Sequence, residues 1–74
     1  MKQYKFITIR ENGAAEHGRP SYDVLPRSGH AIGEIWWYNM WKRYILGADE
    51  NAAWSSDCLR DVADFIENHA GKDA

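Results

Sequence analysis

"GEIWWYNMWKRYILG", residues 33–47, decides the fold, because it reads as two short strands joined by a turn. If Asn39 and Met40 form a two-residue turn, Tyr38 faces Trp41, and opposed residues share one face of the sheet. One face then carries Gly33, Ile35, Trp37, Lys42, Tyr44 and Leu46. The other face carries Glu34, Trp36, Tyr38, Trp41, Arg43 and Ile45.

The segment that follows this hairpin predicts one amphipathic helix over residues 56–70. Ser55 or Ser56 can cap it, and Asp57 places negative charge near its positive end. At 100° per residue, its apolar side chains fall within an arc of roughly 160°; they are Cys58, Leu59, Val62, Ala63, Phe65, Ile66 and Ala70. We expect this arc to pack on the same face of the sheet as Ile35 and Trp37.

Four strands are predicted, over residues 3–10, 21–27, 31–39 and 41–47. Asn12-Gly13 is a turn signal that ends the first strand, and "ENGAAEHGRP" reads as a loop. Pro26 favours an edge position for the second strand, and Ser28-Gly29 predicts a turn after it. The expected fold class is α+β: a single small domain over residues 1–74, with a three- to four-stranded antiparallel sheet packed against one C-terminal helix.

Length and cysteine content limit the class of protein. A chain of 74 residues has room for one domain and one core. Its single cysteine, Cys58, allows no internal disulfide, which favours a reducing cytoplasm. The amino-terminal residues show no signal-peptide pattern. No stretch approaches the roughly 20 apolar residues of a membrane helix. We therefore expect a cytoplasmic protein that does not engage a membrane.

The net charge of −2 is unevenly distributed along the chain. Residues 1–45 carry seven cations against four anions, and residues 46–74 carry two cations against seven anions. One interpretation is that the sheet and the helix each have an ordinary solvated face. The other is an acidic surface directed at a basic protein. Direct binding of nucleic acid is disfavoured, because it requires clustered cations.

The predicted hairpin holds more aromatic surface than one helix can cover. A helix of about 14 residues is roughly 21 Å long and covers one side of a sheet. Trp36, Tyr38 and Trp41 would then form an exposed strip bordered by Glu34 and Arg43. Trp, Tyr and Arg are enriched at binding hot spots, so these five are the predicted partner-binding residues. The alternative is that the sheet curls until both faces are partly internal, with Trp54 lying across one of them.

Catalytic, metal and cofactor signatures are lacking. His17, His30 and His69 are scattered, without the spacing of metal ligands. Cys58 lies on the apolar arc of the predicted helix, where a thiol is usually a small core residue. We therefore predict no catalytic residues, no metal and no cofactor, and a protein that is not an enzyme.

Two segments together resemble a known pattern. Gly33-x-Ile35-x-Trp37-Tyr38-x-x-Trp41-Lys42-x-Tyr44, followed by Cys58-Leu59-x-Asp61-Val62-x-x-Phe65-Ile66, is similar to small uncharacterised proteins of phages and prophages. The likeness covers residues 22–68 and departs from the pattern at Asn39-Met40 and Lys42. It implies a sheet with one C-terminal helix and an accessory role in the host cell, for which anti-CRISPR proteins are one example.

Three functions follow as hypotheses. The leading one is a phage-type accessory protein that acts by protein–protein binding on a host or phage protein, for example as an inhibitor of host defence such as an anti-CRISPR. The second is a structural homodimer whose aromatic strips cover one another. The third is a single-stranded nucleic-acid-binding module that stacks bases on the aromatic sheet face.

Overall fold

A computed structural model describes residues 1–27 and 29–72, which form five strands and one helix. The strands are β1 (Lys2–Gln3), β2 (Ile7–Glu16), β3 (Arg19–Pro26), β4 (Gly33–Tyr38) and β5 (Arg43–Ala48), and the helix is α1 (Ser56–Asn68). The strands form one antiparallel sheet in chain order, β1 to β5. This confirms a small α+β domain with one C-terminal helix. The expected number of strands, three to four, was too low.

The extra strand comes from the amino terminus. Residues 3–10 were predicted to be one strand, but the chain reverses at Lys5 and Phe6. The Tyr4 amide donates to the Ile7 carbonyl at 2.8 Å, and Lys2 then lies opposite Ile9. The apolar and β-branched run therefore folds into a short hairpin, in which only β2 is long.

The second hairpin turns later than predicted. Strand β2 continues through Asn12 and Gly13, and the turn lies at His17 and Gly18, whose φ angles are 53° and 76°. Positive φ at both central residues is what a type I′ hairpin turn requires. Asn12-Gly13 instead lies in an irregularity of the register between Glu11 and Ala15. The segment predicted as a loop is thus an arm of paired strands.

The third hairpin keeps its predicted faces with a different register. Tyr38 lies opposite Arg43 rather than Trp41, so the loop has four residues, 39–42. Lys42 has a φ of 53°, which lets the longer loop close. Because the register differs by two residues, each strand residue stays on the face deduced from the sequence. The turn predicted at Ser28-Gly29 involves Ser28, which lies outside the described residues.

The core lies between α1 and one face of the sheet. Phe65, which is 1% exposed, packs edge-on against the Tyr22 ring with centroids 4.8 Å apart. The other buried apolar side chains come from the four long strands, the helix and the turn after it: Ile7, Ile9, Val24, Ile35, Tyr44, Val62 and Ala70. Trp37 and Leu46 pack against this cluster, on the helix side of β4 and β5.

The helix buries a narrower stripe than its sequence predicted. It begins as expected, with the Ser55 hydroxyl accepting from the Cys58 amide, and Val62 and Phe65 are its buried residues. Leu59, predicted to pack on the sheet, is 47% exposed, and Ala63 is exposed as well. Cys58 and Ile66 are half-buried and pack against the core, so it is one flank of the apolar arc, at Leu59 and Ala63, that lies in solvent.

Candidate docking face

The sheet face opposite α1 has no element packed over it in the described part of the chain; we call it the outer face. Alternation along the strands puts every second side chain on it. Its members include Thr8 and Arg10 of β2, Asp23 and Leu25 of β3, Glu34, Trp36 and Tyr38 of β4, and Arg43, Ile45 and Gly47 of β5. Alternation also places Ser21 of β3 on this side, where it is buried. None of them belongs to the core cluster or packs against it.

Trp36 is held on the outer face by a glycine on the neighbouring strand. A Cβ atom built on Gly47 would lie 2.4 Å from two atoms of the Trp36 ring, so the indole covers Gly47 directly. Trp36 is paired with Ile45, one step along β5. Because Gly47 has no side chain, the indole lies flat on β5 and remains half-buried.

The hairpin loop extends the outer face with exposed apolar side chains. Trp41 is 63% exposed and Met40 is 80% exposed. The Trp41 and Tyr38 rings meet edge to face, with centroids 5.2 Å apart and an interplanar angle of 89°. The Tyr38 hydroxyl donates to the Met40 sulfur at 3.4 Å. Trp41 is therefore positioned by Tyr38 rather than left without contacts.

Two carboxylates lie side by side on the outer face. Asp23 and Glu34 are direct cross-strand partners, and the Asn12 amide donates to one oxygen of each at 3.0 Å. This bridge reduces the cost of placing like charges opposite each other. The Asn12 side-chain carbonyl in turn accepts from the Ala14 amide at 2.9 Å, which fixes the bridging amide.

Charges of both signs on the outer face lack ion partners within the described ranges. The salt bridges in those ranges are Arg60 with Asp57 on α1, and His69, which follows α1, with Asp64. Arg43 donates from Nε to the Trp41 carbonyl at 3.3 Å. Its guanidinium is therefore tied to the hairpin loop, and it does not neutralise Glu34.

The five predicted contact residues lie near one another, although Trp41 is not where it was expected. Glu34, Trp36, Tyr38 and Arg43 are outer-face strand residues. Trp41 lies in the loop, not opposite Tyr38. Sequence reasoning missed the contributions of β2 and β3, although the alternation of polar and apolar residues around Asp23 marks its side chain as outward-facing. It also missed Asn12, which was interpreted as a turn residue.

The other two tryptophans lie on the helix side. Trp37 packs under the Arg19 guanidinium, 3.9 Å from the ring centroid, and its Nε1 donates to the Asn39 side chain at 3.2 Å. Trp54 covers Gly33, where an added Cβ would come within 3.0 Å of its ring. Trp54 therefore lies across one side of the sheet, as the alternative interpretation allowed, and that side is the one covered by the helix.

A cleft of about 600 Å³ opens on the helix side, beside the start of α1. It is lined mainly by Phe6, Pro26, Ile32, Trp54 and Cys58. The Trp54 Nε1 atom is buried without a hydrogen-bond partner among the described residues. The cleft brings the half-buried Cys58 thiol near aromatic carbons but near no histidine, since none lines it.

The three histidines lie on separate elements. His17 is in the β2–β3 turn, His30 precedes β4, and His69 follows α1. Across residues 1–27 and 29–72, no three or more His, Cys, Asp or Glu side chains are grouped as metal ligands would be. No helix in the described ranges combines the length and apolarity of a membrane span.

Comparison of the chain with protein-family models, with curated proteins and with solved structures found no match. Function must therefore be inferred from the outer face itself. That face combines the half-buried rings of Trp36 and Tyr38, the exposed ring of Trp41 in the adjoining loop, and charges of both signs on an antiparallel sheet.

Proposed function

We propose that this domain is a protein-binding module that docks on another protein through its outer face. The observation that carries the proposal is the one-sided covering of the sheet by α1. Trp36, Tyr38 and Trp41 remain on the opposite side and in the adjoining loop, with Trp41 63% exposed. A partner that covers this side removes from water most of the Trp41 ring and the part of Trp36 and Tyr38 that is still exposed.

The arrangement of the side chains supports a specific contact rather than a scatter of exposed rings. The Tyr38–Trp41 edge-to-face pair and the seating of Trp36 on Gly47 fix the rings before a partner arrives. Preorganised aromatic side chains lose little conformational entropy on binding. Arg43 and Glu34 at the border can then orient the partner.

Single-stranded nucleic acid is the weaker candidate for this face. Base stacking on Trp36, Tyr38 and Trp41 would bring phosphates toward the neighbouring carboxylates of Asp23 and Glu34. Cations lie nearby at Arg43 and Lys42. Among the strand residues that the structure describes, Arg10 is the only other cation on the outer face, so they form no continuous cationic track there. The electrostatics thus favour a protein with mixed charge.

The biological setting we propose is an accessory role of the kind that phages encode. It rests on the resemblance of the Trp37-Tyr38 hairpin and the Cys58-Leu59 helix segment to small phage and prophage proteins. Such a protein acts by covering a functional surface of a host or phage protein, as inhibitors of host defence do. This role needs no catalytic group, only a rigid contact surface.

The test compares binding by matched variants. Trp36→Ala with Trp41→Ala should abolish recovery of partners in a quantitative affinity pull-down from the host, while circular dichroism stays native-like. The control is Phe6→Ala with Leu59→Ala, because these apolar residues are 44% and 47% exposed but lie away from the outer face. Unfolding of the tryptophan variant, or equal recovery with both variants, would contradict the proposal.

A further inference from the structure

We propose that in the free protein the outer face is covered by a second copy of this chain, docked face to face about a two-fold axis, and that a host or phage partner binds by displacing that copy. The inference rests on the proposed function, since it needs the outer face to bind protein. It adds the identity of the occupant and the residues that pair across the interface.

Positive and negative charges are balanced on the strands of the outer face. Its strands carry two cations, Arg10 and Arg43, and two anions, Asp23 and Glu34, so these charges cancel. None of the four makes a salt bridge with any residue in the described ranges. Arg10 and Asp23 lie opposite each other on β2 and β3, which leaves Glu34 and Arg43, of opposite sign, to be matched by a second copy.

The positions of Glu34 and Arg43 also fit a pairing between two copies. Glu34 faces Gly47 at one end of the aromatic strip, and Arg43 faces Tyr38 at the other. Along β4, Glu34 and Tyr38 are four residues apart, so the two charged ends of the strip are separated by about 13 Å. Halfway between them is the Trp36–Ile45 pair. The apolar centre of the face thus lies between a carboxylate and a guanidinium.

Together these positions define a two-fold contact. A two-fold axis that lies in the interface and crosses the strands obliquely, between Trp36 and Ile45, places Glu34 of each copy opposite Arg43 of the other. The same rotation brings the two Trp36 side chains together at the centre. A face-to-face contact between sheets has the ordinary aligned geometry, with a spacing of about 10 Å that side chains fill. The result is a ten-stranded sandwich with one helix on each outside surface.

Reversing the charges tests this pairing. The measurement is sedimentation equilibrium at high micromolar concentration, with circular dichroism to verify folding. Wild-type protein should dimerise. Glu34→Arg places two cations together at both ends of the interface, and Arg43→Glu places two anions there, so each variant should weaken dimerisation by at least about tenfold. An equimolar mixture of the two variants should form a heterodimer, because both pairs then regain opposite charges.

Two controls separate the interface from general charge effects. Arg60→Glu makes the same charge change as Arg43→Glu on the exposed side of α1, and it should leave dimerisation unchanged. Glu34→Gln and Arg43→Gln remove charge without repulsion and should weaken the dimer less than the reversals do. They also provide a readout if a reversal variant fails to fold.

The outcomes distinguish this inference from the proposed function. A wild-type chain that stays monomeric overturns the second copy as occupant and leaves binding to another protein intact. A dimer that resists both reversals, or variants that fail to associate when mixed, overturns the pairing of Glu34 with Arg43. A gel shift with labelled single-stranded oligonucleotides that is lost in Trp36→Ala would replace both proposals by nucleic-acid binding.

Discussion

At the scale of single residues, the seating of Trp36 on Gly47 depends on the absence of a side chain at position 47. Indole and glycine lie on adjacent strands and share the outer face. An aromatic ring placed over a glycine restores the packing that the glycine lacks and shields the exposed backbone. Glycine is favoured here by this close contact and not by its backbone conformation, because the φ angle of Gly47 is not positive.

Gly47→Ala should destabilise the wild-type chain by about 1–3 kcal/mol, because the new Cβ overlaps the Trp36 ring and displaces it. The measurement is urea unfolding followed by circular dichroism. In a Trp36→Ala background the same change should cost less than half as much, since the ring is gone. Equal costs in the two backgrounds would show that Trp36 does not cover Gly47.

A second residue-level feature joins the amino terminus to α1. The Tyr4 hydroxyl donates to Asp64 at 2.7 Å, and this bond is the first cause that lowers the pKa of Asp64 below its ordinary value. The Asn68 amide lowers it further, and the charges of His69 and Lys2 act in the same direction. Burial and the Asp64 contact raise the pKa of Tyr4 above its ordinary value.

Acid should therefore remove the stabilisation that Tyr4 provides. A carboxyl group with a lowered folded pKa stabilises the fold above its unfolded pKa of 3.8, and this is lost as pH falls through the folded value. Tyr4→Phe should lower the free energy of unfolding at neutral pH, and the difference from wild type should shrink below about pH 4. Urea unfolding across this range measures it.

Tyr38→Phe is the matched control for this pH dependence. Its hydroxyl donates to the Met40 sulfur, which does not titrate, so its effect on stability should not vary with acid. A Tyr4→Phe difference that stays constant from neutral pH to pH 3 would mean that the hydroxyl does not act through Asp64.

At the scale of elements, the start of α1 depends on one serine of two. Ser55 has an extended backbone, and its hydroxyl accepts from the Cys58 amide at 3.2 Å. Ser56 is already the first helical residue. The sequence allowed either residue to cap the helix, and only the backbone geometry distinguishes them.

Ser55→Ala should therefore lower the free energy of unfolding by about 1 kcal/mol, the typical cost of losing an N-cap. Ser56→Ala should change it by much less, because no capping bond is lost and alanine favours the helix. Thermal unfolding of the two variants gives the comparison. A larger effect at position 56 would shift the cap by one residue.

At the scale of the whole molecule, the packing of the helix on the sheet depends on Phe65. Its ring meets Tyr22 of β3 on the helix side of the sheet, so it joins the two layers at the centre of the core. Phe65→Ala should cost about 3–5 kcal/mol. Leu59→Ala, on the same helix, should cost far less because its side chain is 47% exposed. Denaturant unfolding distinguishes the two; similar losses would place Leu59 in the core.

The class of fold was predictable because the signals for it are strong and local. The alternation around Ile35 and the helical spacing of Val62 and Phe65 indicate which side chains face the core. Turn positions were less predictable. His17 carries a positive φ that its residue type only tolerates, and Asn12-Gly13 forms an irregularity in the strand instead of the turn it resembles.

The outer face was predictable in its strand β4 and less so elsewhere. Trp36 and Tyr38 follow from alternation alone, and they keep their face because the register error was an even number of residues. The sequence did not show that Trp41 lies in the loop, because this depends on the positive φ angle of Lys42. The bridge from Asn12 to Asp23 and Glu34 joins residues of three strands, and no short-range pattern in the sequence reports such a contact.

The order of strands along the sheet has a consequence for how the molecule is made. Because neighbours in space are neighbours in sequence, each hairpin can close soon after it emerges from the ribosome, with only short loops to order. The helix comes last, so until residues 56–68 are synthesised both sides of the nascent sheet are bare. During that interval Ile9, Val24 and Ile35 are as open to chaperones and to aggregation as the outer face is.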